Sequence, residues 1–432
     1  MDMDCRKSII KSIVDIIMNL CKIVNEILVS KKSRNEDGFM NEMLEQIIAW
    51  LTALWIAILA IFVQWGWIPN NIVAGPVVFV VENEYQIIWE TQRPSTAWVT
   101  VNGKVYTDNL AGSLVGDDTA HKVRVPMEAL DTAEGYEINW QHILQAQGFF
   151  KKGNHKAKKY DFRPLDTSDG IQIYHIADTH SNLQPGANAA KYWGDKLDLL
   201  ILNGDIIHNP EYPSSRNFAL KLAFEITQGT RPVLYARGNH EYRGMEANNL
   251  TRYLGAPNSE RWYFTSRVGP LWVAVFDLAE MRADDDEWHD GMADYNDYRE
   301  RETKYFEQVV ANPAAQFDAP GVEYRLLVSH IPVGLDNGVY PEVQAHWAQL
   351  ANQMNIDLAL SGHHHYVKYY PTGDYLSPSG PLNYPLIIGA RPAHIESANG
   401  IFIATAAEFK DGGIQAWFTN HRYEVLEEIT VR

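Results

Sequence analysis

The sequence predicts three parts: a membrane-spanning helix near the N-terminus, a small all-β sandwich after it, and a C-terminal α/β domain. Three observations carry this reading. No charged residue occurs between Gln46 and Val81. From about Val77 to Pro164, short β-rich runs alternate with turn pairs. Beyond Asp166, apolar runs each end in polar residues able to bind metal, with helical stretches between them. The 432 residues suit two or three domains, and 46% hydrophobic against 21% charged residues is the balance of a globular chain with a sizeable core.

Residues 1–46 are expected to be a cytoplasmic segment. Ile10, Ile13, Ile17, Leu20, Val24 and Ile27 recur at spacings of three and four, which predicts an amphipathic helix that lies on a membrane or pairs with its copy. Met40 and Met43 are alternative starts to Met1 and would remove it. Residues 47–68 follow as the expected anchor. Ile47–Val63 is broken only by Thr52, and Trp65, Trp67 and Pro69 read as an interfacial belt and a helix stop. A buried core helix or a cleaved signal peptide would compete, but Ile61–Trp67 is too bulky for a small-x-small cleavage site. Lys31, Lys32 and Arg34 flank the N-terminal side, and no basic residue follows before Arg93. That bias puts the N-terminus in the cytoplasm and the catalytic domain outside it, as a single-pass cell-membrane protein.

Residues 75–165 are expected to form the sandwich. Candidate strands are Val77–Val81, Gln86–Glu90, Ala97–Val101, Lys104–Tyr106, His121–Val125, Tyr136–Gln145 and Tyr160–Arg163, with Asn102-Gly103 marking a hairpin. Residues 166–432 carry the chemistry. Ile171–Ala177 runs into Asp178, Leu199–Leu202 into Asn203-Gly204-Asp205, and Val233–Ala236 into Arg237-Gly238-Asn239-His240. Leu326–Ser329 runs into His330, and Leu358–Ser361 into Gly362-His363-His364-His365. The C-terminal ends of strands are where α/β sheets usually hold their sites. Carboxylate, imidazole and amide oxygen together suit Mn, Zn or Fe rather than Ca, and the donors outnumber the needs of one tetrahedral ion. Two ions sharing a carboxylate is the economical solution.

These five blocks, Asp178-x-His180, Gly204-Asp205, Gly238-Asn239-His240-Glu241, His330 and Gly362-His363-x-His365, resemble the ordered motif set of the calcineurin-like metallophosphoesterases. The preceding segment, with Ile88-Trp89-Glu90-Thr91 and Pro94-Ser95-Thr96-Ala97, is similar to the N-terminal domain of plant-type purple acid phosphatases. The resemblance implies an αββα four-layer catalytic sandwich behind a fibronectin-III-like one. It implies that Asp178, His180 and His365 bind a first divalent transition metal, that Asn239, His330 and His363 bind a second, and that Asp205 bridges them. It further implies that a hydroxide between the metals attacks a phosphate monoester, and that His240 contacts the phosphate and protonates the leaving oxygen. A phosphodiesterase with the same centre is the alternative. A non-catalytic surface binding protein is a third reading, but it would be expected to have lost ligands.

Purple acid phosphatases place a tyrosine three residues after the bridging aspartate and lack the histidine of D-x-H, whereas this chain has His208 there and keeps His180. That removes the tyrosine–iron(III) pair and leaves His208 as an additional ligand, a phosphate contact or an outer support. His364 is expected to point away from the ligands, and Glu241 to orient one or to pair with a basic residue rather than bind metal. Asp284-Asp285-Asp286-Glu287 reads as a solvated loop which, with Trp288, Tyr295 and Tyr298, walls the cleft. Asn249-Leu250-Thr251 fits a glycosylation sequon. A formal charge of −17 argues against a nucleic-acid or anionic-lipid scaffold, so an anionic substrate must be recognised locally. Cys5 and Cys21 are the only cysteines, so no disulfide can staple the catalytic part.

Overall fold

The computed structural model describes residues 38–64, 69–108, 118–145, 151–278, 280–335, 340–395 and 398–431. The amphipathic helix expected over residues 10–27, and the self-association read from it, lie outside these. The chain divides into two units, Met1–Ile68 and Pro69–Arg432.

In the first unit, helix α1 spans Gly38–Gln64. Ile47, Ile48, Trp50, Leu54 and Ile61 are exposed on it. Its side chains are described without a break only from Gln46 to Leu59. Among the described residues no helix is long and apolar enough to cross a membrane. The span expected over 47–68 is therefore not shown: the described helix ends at Gln64, and 65–68 lie outside the described residues.

The second unit begins with β1 (Ile72–Val81), β2 (Glu84–Thr91), β3 (Ser95–Val101), β4 (Lys104–Tyr106), β5 (Ala120–Pro126), α2 (Met127–Ala133), β6 (Gly135–Gln145) and β7 (Lys151–Asp161). It continues with β8 (Ile171–Ile176), α3 (Leu183–Ala189), β9 (Leu199–Asn203), α4 (Asn217–Thr227), β10 (Pro232–Ala236), β11 (Phe264–Val268), β12 (Leu271–Phe276) and α5 (Tyr295–Ala311). There follow β13 (Tyr324–Ser329), α6 (Pro341–Asn352), β14 (Leu358–Ser361), β15 (Val367–Tyr370), β16 (Leu376–Ser377), β17 (Gly380–Pro381), β18 (Leu386–Gly389), β19 (Ile403–Lys410), β20 (Gly413–Asn420) and β21 (Val425–Thr430).

A nine-stranded sheet runs β21-β20-β19-β8-β9-β10-β1-β2-β5, and a six-stranded sheet runs β11-β12-β13-β14-β18-β15. Their central strands, such as β8, β9, β10, β12 and β14, are buried on both faces, as in α/β proteins whose sheets are covered on both sides. The alternation sorts each strand between two cores. Ile173, Ile201 and Leu234 meet Val273, Leu326 and Leu360 between the sheets. Tyr174, Leu202 and Tyr235 pack outward under α3 and α4 through Ala187, Leu220 and Ala223. On the other side Trp272, Phe276 and Leu327 pack under α5 and α6 through Phe306, Trp347 and Ala351. The result is the expected helix–sheet–sheet–helix sandwich.

The segment expected as a self-contained sandwich is organised differently. β3, β4, β6 and β7 form a four-stranded sheet in the order β4-β3-β6-β7, which shares a core with β1, β2 and β5 through Ala97, Val99, Ile138 and Trp140. Yet β1 also pairs in parallel with β10, Val78 opposite Pro232 and Phe79 opposite Val233. One of the two layers is therefore continuous with the catalytic sheet, and residues 69–432 form a single unit. The Val-rich run Val77–Val81, buried throughout, gives the physical reason: it is a central strand, needing neighbours on both sides. The strand expected at Tyr160–Arg163 is the end of the longer β7, and α2 was not expected.

Candidate metal centre

Each of the five blocks leaves a strand at its C-terminal end and turns at once, because the chain must reverse within one or two residues. Asp178, His180, Asp205, His363 and His365 have φ of +57°, +46°, +52°, +69° and +56°. This left-handed region is uncommon outside glycine, although Asp and His tolerate it better than most residues. Such strain is typical of functional sites. Gly204, at φ +75°, is where no side chain fits: a Cβ there would stand 2.5 Å from Cγ of His330 and 2.6 Å from Cα of Gly238.

The turns are pinned by the backbone and by one carboxylate. Asp178 N–H donates to Gly204 O, His180 N–H to Asp205 O and Gly362 N–H to His330 O. The buried Glu241 accepts from the N–H groups of Asp205 (2.9 Å), Ile207 (2.9 Å) and Gly238 (3.0 Å), and from the Tyr235 hydroxyl (3.2 Å). Burial, and then the nearby Asp205 carboxylate, push Glu241 up to about 7. Glu241 thus supports the bridging aspartate, the role expected of it.

The donor atoms converge. Ligand atoms of Asp178, His180, Asp205 and His365 lie within 4.8 Å of one another. His180 Nε2 is 3.2 Å from His365 Nε2, and His365 Nε2 is 3.3 Å from Asp178 Oδ1. On the other side of Asp205, its Oδ2 is 3.3 Å from His330 Nε2, and His363 Nδ1 is 3.0 Å from Asn239 Oδ1. The structure therefore brings together all seven residues read from the sequence, with Asp205 between the two groups. His330 gives the sharpest test of fit to a metal. Its Nδ1 donates to Asn203 O at 2.8 Å, which leaves Nε2, buried and without a hydrogen bond, as the nitrogen turned to the carboxylates and able to ligate a cation in place of a proton. Asp178 Oδ1 is likewise buried and unpartnered. Separations of about 3 Å between such donors are also the edge length expected around an ion with bonds of about 2.1 Å. The donor set fits a pair of transition-metal ions.

In the bare site a proton on His330 stands where a cation would. Burial opposes the charged form of His330, but Asp205 and Asp178 prevail and raise it to about 10, while burial holds His180 and His363 down to about 3. Burial also opposes ionisation of Asp205, yet His330, His240 and His180 hold its carboxyl well below the usual range. The cluster is one balanced set of charges that a cation can enter.

Two of the expected residues stand differently from the ligands. His208 is exposed, with Nδ1 3.4 Å from His180 Nδ1, and it groups with His180 and His240 as a further donor triad. His240 Nδ1 lies 2.6 Å from His208 O and so carries a proton, while Arg243 Nη1 points at its Nε2 from 2.9 Å. Here Nε2 is an acceptor: as drawn, His240 has no proton there to give a leaving group. His364 stacks on Tyr366 and meets the His363 ring edge-on at 5.5 Å between centroids, outside the donor groups.

Sequence reasoning missed Arg243, Glu280 and His394. Glu280 accepts from Asn239 Nδ2 at 3.2 Å, which turns Asn239 Oδ1 toward the centre, and it also pairs with Arg243. Arg243 sits three residues after His240, a spacing that could have flagged it; Glu280 and His394 follow strands without any motif. The His394 ring centroid is 5.0 Å from that of His180. The acidic run is partly structured, since Asp284 accepts from Tyr295 N–H at 2.7 Å and Asp286 from Trp288 N–H at 2.9 Å. His289 Nε2 is 3.9 Å from Glu280 Oε2, which joins that segment to the site.

Residues 171–367 match the calcineurin-like phosphoesterase family. Among solved structures, the chain is similar to a purple acid phosphatase from yellow lupin (Lupinus luteus) seeds, at 13% identity over 84% of this chain and 73% of that one, with a TM-score of 0.52. Looser likenesses are PhoD (9% identity, 83% and 92% covered, TM-score 0.44) and GAP50 of Plasmodium (12%, 61% and 88%, 0.41). No curated protein matches.

Proposed function

We propose that this chain, whose residues 171–367 are a calcineurin-like phosphoesterase domain, is a metal-dependent hydrolase of phosphate monoesters attached to a membrane. The observation that carries the catalytic reading is the convergence of seven donors from five strand ends around Asp205. Asp178, His180 and His365 would hold one ion and Asn239, His330 and His363 the other, with Asp205 shared. When bound, such a pair supplies a Lewis acid for phosphoryl oxygens and lowers the pKa of a water between the ions.

The chain's own residues do the rest. Glu241 fixes the Asp205 turn through three N–H groups, and Glu280 fixes the amide of Asn239. Arg243 supplies a guanidinium beside the centre, suited to a phosphate oxygen. Its departure from His240 toward substrate would free His240 Nε2 to take up and pass on a proton to the leaving oxygen. The test compares turnover of an aryl monophosphate and a bis-aryl phosphate by the purified protein supplied with Mn. Monoester turnover well above diester turnover is expected; negligible monoesterase beside brisk diesterase activity would assign a phosphodiesterase instead.

Membrane attachment, with the catalytic unit outside the cytoplasm, is supported by the exposed apolar side chains of α1 and by the basic residues on its N-terminal side. Carbonate-resistant sedimentation and protease sensitivity of residues 69–432 in intact cells are expected. Release by carbonate would contradict an apolar anchor in α1, and full protection in intact cells would reverse the orientation.

A further inference from the structure

We propose that strand β7 is an electrostatic docking surface for an anionic membrane, a surface that binds lipid headgroups through lysines of the catalytic unit itself. It extends the attachment reading above but needs no helix that crosses.

The chain carries 17 more formal negative than positive charges, yet between Lys151 and Arg163 six basic residues face one acidic residue, Asp161. All five lysines of this stretch lie on β7, an edge strand of the four-stranded sheet. Lys151, Lys152, Lys158 and Lys159 are exposed, and no ion pair involves any of them among the described residues, although Glu137 stands opposite Lys159 in the ladder. One or two lysines would discourage edge-to-edge pairing. Four exposed ones with no ion pair among the described residues, Lys158 resting its ammonium over the Tyr160 ring at 4.9 Å, hold a positive potential against the field of the whole molecule.

The fifth lysine shows where the chain enters the unit. Lys156 Nζ donates to Asn70 O at 3.2 Å and to Asn71 Oδ1 at 3.3 Å, and Trp140 Nε1 donates to Asn70 O at 2.9 Å. Asn70, at the start of the unit, is therefore held beside β7. Next to β7 opens a cleft of about 500 Å³, lined by the apolar Ile72, Val73, Tyr160 and Phe224, with two cations, Lys158 and Lys221, against one carboxylate, Glu225. Cations beside an apolar lining match a phospholipid, whose headgroup is anionic and whose glycerol and first methylenes are not. A nucleic acid would satisfy the lysines but not the apolar lining.

The test uses the full chain and vesicles of phosphatidylcholine, with and without about 30% phosphatidylglycerol, at low and high salt. The parent is expected to bind the anionic vesicles at least about tenfold more tightly than the neutral ones, with the preference fading in high salt. The variant K151Q/K152Q/K158Q/K159Q should lose the preference to within about twofold while turning over a soluble aryl phosphate at the parental rate, which shows the fold intact. Equal affinity of the parent for both vesicles, or an undiminished preference in the variant, overturns the proposal. So does equally tight, salt-sensitive binding of the parent to single-stranded DNA, which would make the surface a nucleic-acid site. Binding to neutral vesicles reports on α1 separately: its absence, beside intact anionic binding, would sink the apolar anchor and leave β7 standing.

Discussion

Replacing Glu241 by leucine removes every acceptor from a buried position of similar volume. The carboxylate serves three backbone N–H groups, those of Asp205, Ile207 and Gly238, and the Tyr235 hydroxyl. Leucine leaves three buried N–H donors unmet, at about 1–3 kcal/mol each, so the loss should be at least about 3 kcal/mol. Glutamine is the informative contrast. Its one carbonyl oxygen can keep the Asp205 and Gly238 donors, its NH2 can donate to the Tyr235 oxygen, and only the Ile207 N–H meets a like group. Removing a carboxylate whose ionisation burial disfavours offsets part of that, so glutamine should cost about 1 kcal/mol. Urea unfolding of chelator-stripped protein, followed by tryptophan fluorescence, measures both without a contribution from metal binding. A leucine variant within about 0.5 kcal/mol of the parent, or a glutamine variant as damaged as leucine, would refute the pinning role of Glu241.

Gly204→Ala should lower stability by about 3 kcal/mol, from left-handed strain and the collision with His330, as read by a urea midpoint. Asp198 is raised to about 6, chiefly by burial, above an unfolded value of about 3.9. Its stabilising effect is therefore full below about pH 4 and lost as pH rises through 6; Asp198→Asn should gain about 2 kcal/mol, discounted for screening, at pH 8 and little at pH 4, by thermal unfolding. Arg243→Ala should reduce kcat/KM on an aryl monophosphate by roughly 10–100-fold with metal content unchanged, and Arg243→Lys should not restore it, because one ammonium cannot serve both His240 and Glu280. Parental kcat/KM in the alanine variant would remove Arg243 from the reaction.

The site was more legible than the fold around it. Asp178, Asp205, His330 and the Gly362-His363-x-His365 turn are each announced by an apolar run that stops, because a strand end is both where a parallel sheet opens to solvent and where the sequence switches from buried to polar. Glu280 and His394 lack that switch, and Arg243 offers only its spacing of three from His240, whose meaning the contact between them supplies. The Val77–Val81 run was correctly read as a strand but assigned to the wrong company. Periodicity records that both its faces are buried, whereas its pairing with β10, some 150 residues later, leaves no local trace. The tautomer of His240 is equally invisible in sequence, since it depends on the carbonyl of His208 and the guanidinium of Arg243.

The account rests on Asp205 standing between two metal positions. Elemental analysis of the purified full chain tests this directly, alongside the near-isosteric Asp205→Asn. The account predicts two transition-metal ions per chain in the parent, at most one in the variant, and phosphatase activity lost with the second ion. One ion or none in the parent after reconstitution, or two ions and full activity in Asp205→Asn, would contradict it.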